Sequence, residues 1–310
     1  MQPLTDLDFE ALENSISGEL KRNELMSKHT TYQIGGPAYL YALPKNRNDL
    51  EILIEFSREN EIPRFNMGGG SNILVHDKGI KAMVIDLKAG FSSIEVLGTT
   101  VTAQSGISLA KFVSTCRKNN LAGVEKLAGI PGSLGGALFM NAGAFGSEIS
   151  QKLKSLTLLL EDGEFTELRA IDLQFGYRES NLPEGSLILE AEFELEKVED
   201  ASEIYGESKR IIKSRNEKQP VSVPSTGSIF KNPPEGDSAG KLIEDAGLKG
   251  TKAGGAMISE KHGNFILNMG NARAEDVVHL VALAHKTVLD KFNVELELEL
   301  KLVGYDDWFI

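Results

Sequence analysis

The sequence predicts an α+β protein of two or three domains, and three observations carry that prediction. Strand-like alternation and helix-like spacing of apolar residues are mixed along the chain rather than segregated. Several strand pairs sit on short connections, such as the one holding Asp162-Gly163, that favour antiparallel pairing. At 310 residues the chain is too long for one small core.

In order along the chain, residues 1–28 read as an N-terminal helical segment. TYQIGGPAYLYALP reads as a strand pair bent at Gly-Gly-Pro. NDLEILIEFSREN is a helix with Leu50, Leu53, Ile54 and Ile52 facing inward and Asn48 or Asp49 able to cap it. IPRFNM runs as a short strand into GGGSN, followed by strands ILVHD and AMVIDL. From Ser105 a helix, SLAKFVSTCRKNN, leads to LAGVEKLAGIPGSLGGALFMNAGAFG, which carries no charge from Leu127 to Gly146. That stretch is too apolar for a free surface loop and too rich in glycine for a strand, so a buried loop wrapped on a ligand is expected. LKSLTLLLEDGEFTELR is a hairpin turned at Asp-Gly, and SLILEAEFELEKV is a further strand.

ASEIYGESKRIIKSRNEKQP is a charged helix at the expected domain boundary, with one domain over 29–198 and another over 205–310. KLIEDAG is a helix stopped by Gly247, and GGAMISEKHGNFILN is strand–turn–strand. AEDVVHLVALAHKTVLDKF is the clearest amphipathic helix, with Val277, Leu280, Val281, Ala284 and Val288 on one face. VELELELKLV closes the chain as an alternating strand.

A net charge of −12 argues against nucleic-acid or anionic-membrane partners, which need a basic face. The single cysteine, Cys116, permits no internal disulfide and sits at helical spacing with Leu109, Phe112 and Val113, the pattern of a small buried side chain. The acidic N-terminus lacks the apolar stretch of a signal peptide, and no apolar run is long enough to span a bilayer, so a cytoplasmic location is expected. None of the five histidines has metal-ligand spacing, so no metal is expected. No oligomeric state is predicted.

The 31 glycines are clustered, which marks places where backbone approaches something closely. IGGP begins with Ile34 and Gly35. GGGSN holds Gly68, Gly69, Gly70, Ser71 and Asn72. GIPGSLGGA supplies Gly129, Ile130, Pro131, Gly132, Ser133, Gly135 and Gly136, with Asn141, Ala142 and Gly143 just beyond. Converging backbone N–H groups in such loops accept phosphate oxygens. Neither loop is GxGxxG, and neither has the context of a Rossmann site, so the inference is a dinucleotide held outside a Rossmann fold. Ser228, in PSTGSIFKNP, has no histidine at fixed spacing and no GxSxG, which excludes the usual acyl-transfer nucleophile. Periodicity reads Glu295, Glu297 and Glu299 alike as the solvated face of a half-buried strand.

HTTYQIGGPA, GGGSN, GIPGSLGGALFMNAGAFG, GYRES, PSTGSIFKNP, AGKLIEDAGLKG, SEKHGNFILN and ELELELKLVG resemble, in order from Thr30 to Gly304, the UDP-N-acetylenolpyruvoylglucosamine reductase (MurB) family. The resemblance implies a vanillyl-alcohol-oxidase-type FAD-binding domain of two subdomains, about 29–85 and 86–198, and a separate substrate-binding domain. It implies NADPH-dependent, FAD-mediated reduction of UDP-N-acetylglucosamine enolpyruvate to UDP-N-acetylmuramate, a peptidoglycan precursor. Arg178 of GYRES is carried over as a catalytic residue, Ser228 as the proton donor to C2, and Glu299 as the acid partner, with Glu297 as the fallback. The family pattern places a basic residue two positions after that glutamate and a glycine five after it. Here these are Lys301, in place of the usual arginine, and Gly304.

Tyr177, Lys231, Asn232 and Lys301 are expected at the substrate, and His262 is either a substrate contact or an ordinary turn residue. No histidine lies in Gly68–Asn72 or Gly129–Gly146, so the FAD is expected to be non-covalent. Only 50 positions separate Arg178 from Ser228, too few for the extra loop and tyrosine of the longer subtype, so the shorter subtype is expected. A sugar or hydroxy-acid oxidase of the same FAD fold would need the glycine loops but not GSIFKNP or the glutamate strand. A flavin-binding regulatory module is the non-enzyme alternative.

Overall fold

The computed structural model describes residues 4–305; the outermost residues of the segments expected over 1–28 and 205–310 lie outside the described residues. The chain forms two compact units. The first comprises Met1–Asn23, Tyr39–Gly69 and Ala82–Ile212, and the second Glu24–Ala38, Gly70–Lys81 and Lys213–Ile310. These units do not follow chain order. Residues 24–38 and 70–81 group with the C-terminal part because Ile73–Val75 pairs in parallel with Lys301–Val303, and because Tyr32, Ile34 and Leu74 share a core with Ile229, Phe230 and Leu300.

The first unit is built on an antiparallel sheet with strands in the order Phe165–Arg169, Leu153–Leu159, Leu187–Glu194, Thr100–Gln104 and Ile94–Leu97. The hairpin turns at Asp162-Gly163, as its sequence requires, with Gly163 at φ +96°. The helix expected from Ser105 begins at Leu109, because the Ser108 hydroxyl accepts the Lys111 N–H and caps it there. It buries Leu109, Phe112, Val113 and Cys116, and the Phe112 ring lies 4.8 Å from Phe193. Burial pushes the Cys116 thiol up to about 12, which leaves it protonated and inert. A four-stranded sheet runs Glu19–Leu25, Pro37–Leu43, Ile80–Asp86 and Arg64–Met67. Its helix, Arg47–Glu59, is capped by Asn46 rather than Asn48 or Asp49. Asp49 is instead buried, where its carboxylate accepts the N–H groups of Ser17 and Lys45.

Only Pro37–Leu43 of the strand pair expected in TYQIGGPAYLYALP is a strand. The preceding residues are irregular because Gly36 lies flat on residues 77–79, and a Cβ there would fall 2.2 Å from the Asp77 carbonyl oxygen.

In the second unit Lys252–Ala253, Ala256–Ile258 and Ile266–Asn268 form an antiparallel sheet. The helix Ala274–Phe292 buries the five residues expected, Val277, Leu280, Val281, Ala284 and Val288. The Asp77 carboxylate accepts the Ala274 and Glu275 N–H groups at its N-terminus, at 2.9 and 3.2 Å. The alternation in VELELELKLV does bury Leu296 and Leu300, but regular strand is confined to Lys301–Val303. Upstream, one antiparallel bridge joins Phe230 to Leu298, and the Ile229 carbonyl accepts both Glu299 N–H and Leu300 N–H, which breaks the ladder. No helix among the described residues is long and apolar enough to cross a membrane.

Candidate active site

In the first unit the two glycine loops meet backbone to backbone. A Cβ on Gly69 would fall 2.6 Å from the Gly132 Cα, and one on Gly68 would fall 3.0 Å from Ser133 Oγ and 3.2 Å from the Gly136 Cα. The two loops, each expected at a ligand, thus pack against each other. Ser133 caps the short helix Leu134–Phe139 by accepting the Gly136 N–H, and Gly135 packs on Ser105. Gly129 and Gly132 adopt φ of +78° and +114°, open to glycine alone without strain. Ile130 is half-buried beside the exposed Pro131, and Ala142 is half-buried beyond the helix.

Asn141 is fully buried, and its side-chain amide donates to the Gly176 carbonyl and to Glu148 Oε2, both at 2.9 Å. Arg178 lies at the turn of a hairpin, Phe175–Gly176 paired with Glu179–Ser180. It adopts φ +62°, donates from Nη2 to the Gly143 carbonyl at 3.1 Å, and stacks 4.8 Å over the exposed Tyr177 ring.

In the second unit the segment after Gly227 lies between two partners. On one side Lys231 N–H donates to the Glu297 carbonyl and Glu299 N–H to the Ile229 carbonyl. On the other, Asn264 brackets Phe230, accepting its N–H at 2.9 Å and donating to its carbonyl at 2.7 Å. Ser228 and Glu299 are therefore carried by paired segments, and both are half-buried. The glutamates are not equivalent. Glu297 is 70% exposed and pairs at 2.6 Å with the buried Lys231 ammonium, whereas the Glu299 carbonyl accepts the Asn72 amide at 2.9 Å. Lys301 is exposed, and its N–H donates to the Asn72 carbonyl.

Gly70 is buried with its carbonyl accepting Thr31 N–H, and Ser71 is half-buried beside it. Ile34 is buried, and Gly35 lies against Val75 and Met26. The exposed Asn232 accepts the Ala239 N–H. His262 sits under Gly240 and edge-on to Phe265; burial, with the Lys249 charge adding, holds its imidazole below the usual value. Asn264 carried no local signal in the sequence, because its partner lies 34 positions away.

The family model for the C-terminal domain of UDP-N-acetylenolpyruvoylglucosamine reductase matches residues 219–303, and a model for an FAD binding domain matches 38–169. The UDP-N-acetylenolpyruvoylglucosamine reductase of Clostridium tetani is 42% identical over 307 residues, 99% of each chain. The chain belongs to the UDP-N-acetylenolpyruvoylglucosamine reductase family. A member from Caldanaerobacter subterraneus is 44% identical over 288 residues, covering 93% of this chain and 94% of that one. The crystal structure of the reductase from Thermus caldophilus superimposes with a TM-score of 0.81 at 36% identity, covering 93% of this chain and 100% of that one.

The chain thus carries the FAD-binding domain of this reductase family. Gly68, Gly69, Gly132 and Gly136 bring bare backbone together, and the space beside Gly69 is taken by the Gly132 backbone. No charged residue occurs from Leu127 to Ser147, so no carboxylate within that segment repels a diphosphate.

Proposed function

We propose that the chain reduces UDP-N-acetylglucosamine enolpyruvate to UDP-N-acetylmuramate with NADPH as reductant, and that Arg178, Ser228 and Glu299 carry the chemistry. Bound FAD supplies the redox chemistry between NADPH and the vinyl group. The glycine-loop residues from Gly68 to Asn72 and from Gly129 to Gly136, with Ala142, Gly143, Ile34 and Gly35, hold it without a covalent link. The domain over 29–198 serves the cofactor, and that over 205–310 the substrate.

Charge develops on the carboxylate end of the enolpyruvyl group as it is reduced. The Arg178 guanidinium, held by the Gly143 carbonyl, offers paired N–H donors to that charge. Glu299, in its protonated form, donates to the same oxygen. The Ser228 hydroxyl gives its proton to C2, which yields the lactyl ether. Tyr177, Lys231, Asn232, His262 and Lys301 bind and orient the substrate. Lys231 is suited to a phosphate because its ammonium is already desolvated and paired with an exposed carboxylate that a phosphate can displace.

The observation that best supports this reading is the pairing of the Ser228 and Glu299 segments through the Ile229 carbonyl, which ties the proton donor to the acid. One cleft serving reductant and substrate in turn predicts parallel double-reciprocal plots, and intersecting lines would refute the alternation. Ser228→Ala should leave flavin reduction by NADPH almost intact while slowing reoxidation by substrate about a hundredfold or more. Equal losses in both half-reactions would remove Ser228 from its role.

A further inference from the structure

The hairpin that carries Arg178 cannot hold its own shape. It has two paired positions on each side, Phe175 with Ser180 and Gly176 with Glu179, extended by Gln174 and Asn181, which exchange one backbone and one side-chain bond. Isolated two-stranded hairpins of this length are marginal in water. Its turn also places a non-glycine residue, Arg178, at φ +62°, a left-handed conformation that is strained outside glycine. Bonds from outside must impose the conformation. Three such bonds join it to one stretch of chain: Asn141 donates to the Gly176 carbonyl, Arg178 to the Gly143 carbonyl, and Ser180 Oγ to the Phe139 carbonyl at 2.7 Å.

Of these tethers only that from Asn141 comes from a side chain with no exposed surface. Asn141 itself is at φ +40°, its second amide hydrogen goes to Glu148, and its Oδ1 accepts the Ser150 N–H at 3.4 Å. Its amide is thus occupied within the protein on both its donor and its acceptor side. We infer that Asn141 is a positioning residue for Arg178: it holds the Gly176–Arg178 turn so that the guanidinium faces the developing charge, rather than contacting the flavin. This rests on the assignment of Arg178 to the reaction.

The test uses the FAD-loaded full chain and three variants, Asn141→Ala, Asn141→Asp and Arg178→Ala. Asn141→Asp keeps the size and the acceptor for Ser150 but loses the donation to Gly176, so it carries the test where the alanine variant does not fold. Hydrogen exchange of residues 174–181 is expected to rise in both Asn141 variants. FAD affinity should stay within about threefold, and flavin reduction by NADPH within about twofold, while reoxidation by the enolpyruvyl substrate slows about tenfold or more. Adding Asn141→Ala (or Asn141→Asp) to Arg178→Ala should slow reoxidation no further. Unchanged exchange in 174–181, a loss of FAD affinity matching the loss of rate, additive losses in the double variant, or recovery of neither Asn141 variant as folded protein would each overturn the inference. If Arg178→Ala alone leaves reoxidation unchanged, the Arg178 assignment fails, and the exchange data still decide whether Asn141 holds the turn.

Discussion

Asn72 and Glu299, 227 positions apart, are joined by a 2.9 Å hydrogen bond from the Asn72 amide to the Glu299 carbonyl, and Lys301 N–H returns to the Asn72 carbonyl at 3.1 Å. The last residue of the GGGSN loop thereby fixes the backbone of the candidate acid. Asn72→Ala should cost about 1 kcal/mol of stability and slow substrate-driven reoxidation about tenfold, since a half-buried carbonyl loses its donor. Calorimetry and stopped-flow absorbance would check both. A loss confined to FAD affinity would show that Asn72 serves the flavin alone and does not support Glu299.

Glu297 and Glu299 share a face in the sequence but not an environment. Glu299→Gln removes the acid and should slow reoxidation about a hundredfold. Glu297→Gln removes only the carboxylate opposite Lys231, which lies at the surface and is 70% exposed; its effect on turnover should stay within a few-fold. Equal losses in the two variants would contradict the assignment of Glu299.

Two glycine substitutions separate packing from cofactor contact. At Gly69 a Cβ meets the Gly132 backbone at 2.6 Å, so Gly69→Ala should disrupt the fold of the loops and cost several kcal/mol. At Gly136 the nearest atom is Ser133 Oγ at 3.5 Å, an ordinary contact, so Gly136→Ala should fold normally. Weaker FAD binding in Gly136→Ala, at unchanged melting temperature, is the expected result if the flavin lies against that backbone. Titration of the apoprotein with FAD would show it.

His262 makes stability pH-dependent in a definite direction. Its folded-state pKa is lowered, by burial first and then by Lys249, so the unfolded chain binds a proton that the folded chain does not. Stability is therefore full above the unfolded value of about 6.5 and declines as pH falls through it toward the lowered folded value. His262→Gln should flatten that part of the profile. Melting temperatures of both proteins from pH 8 to 5 would reveal an identical slope if the assignment is wrong.

Features set by local spacing were legible in the sequence. The period of Ala274–Phe292, the Asp-Gly hairpin and the alternation that buries Leu296 and Leu300 depend on residues a few positions apart, so pattern alone fixes them. The motif order likewise pointed to the family. Distinctions among chemically similar residues were not legible. Glu297 and Glu299 look alike in an alternating run, and only the long-range partners Lys231, Ile229 and Asn72 set them apart.

The sequence by itself thus determined the α+β class, most elements and the glycine loops, because these rest on short-range periodicity and on glycine's backbone freedom. The tertiary structure alone decided that Gly69 closes on Gly132, that Arg178 occupies a strained turn, and that the Asn141 amide is occupied inside the protein. Those outcomes depend on which distant backbone groups meet. No local pattern encodes such a meeting, because loop closure brings together residues whose spacing along the chain is arbitrary.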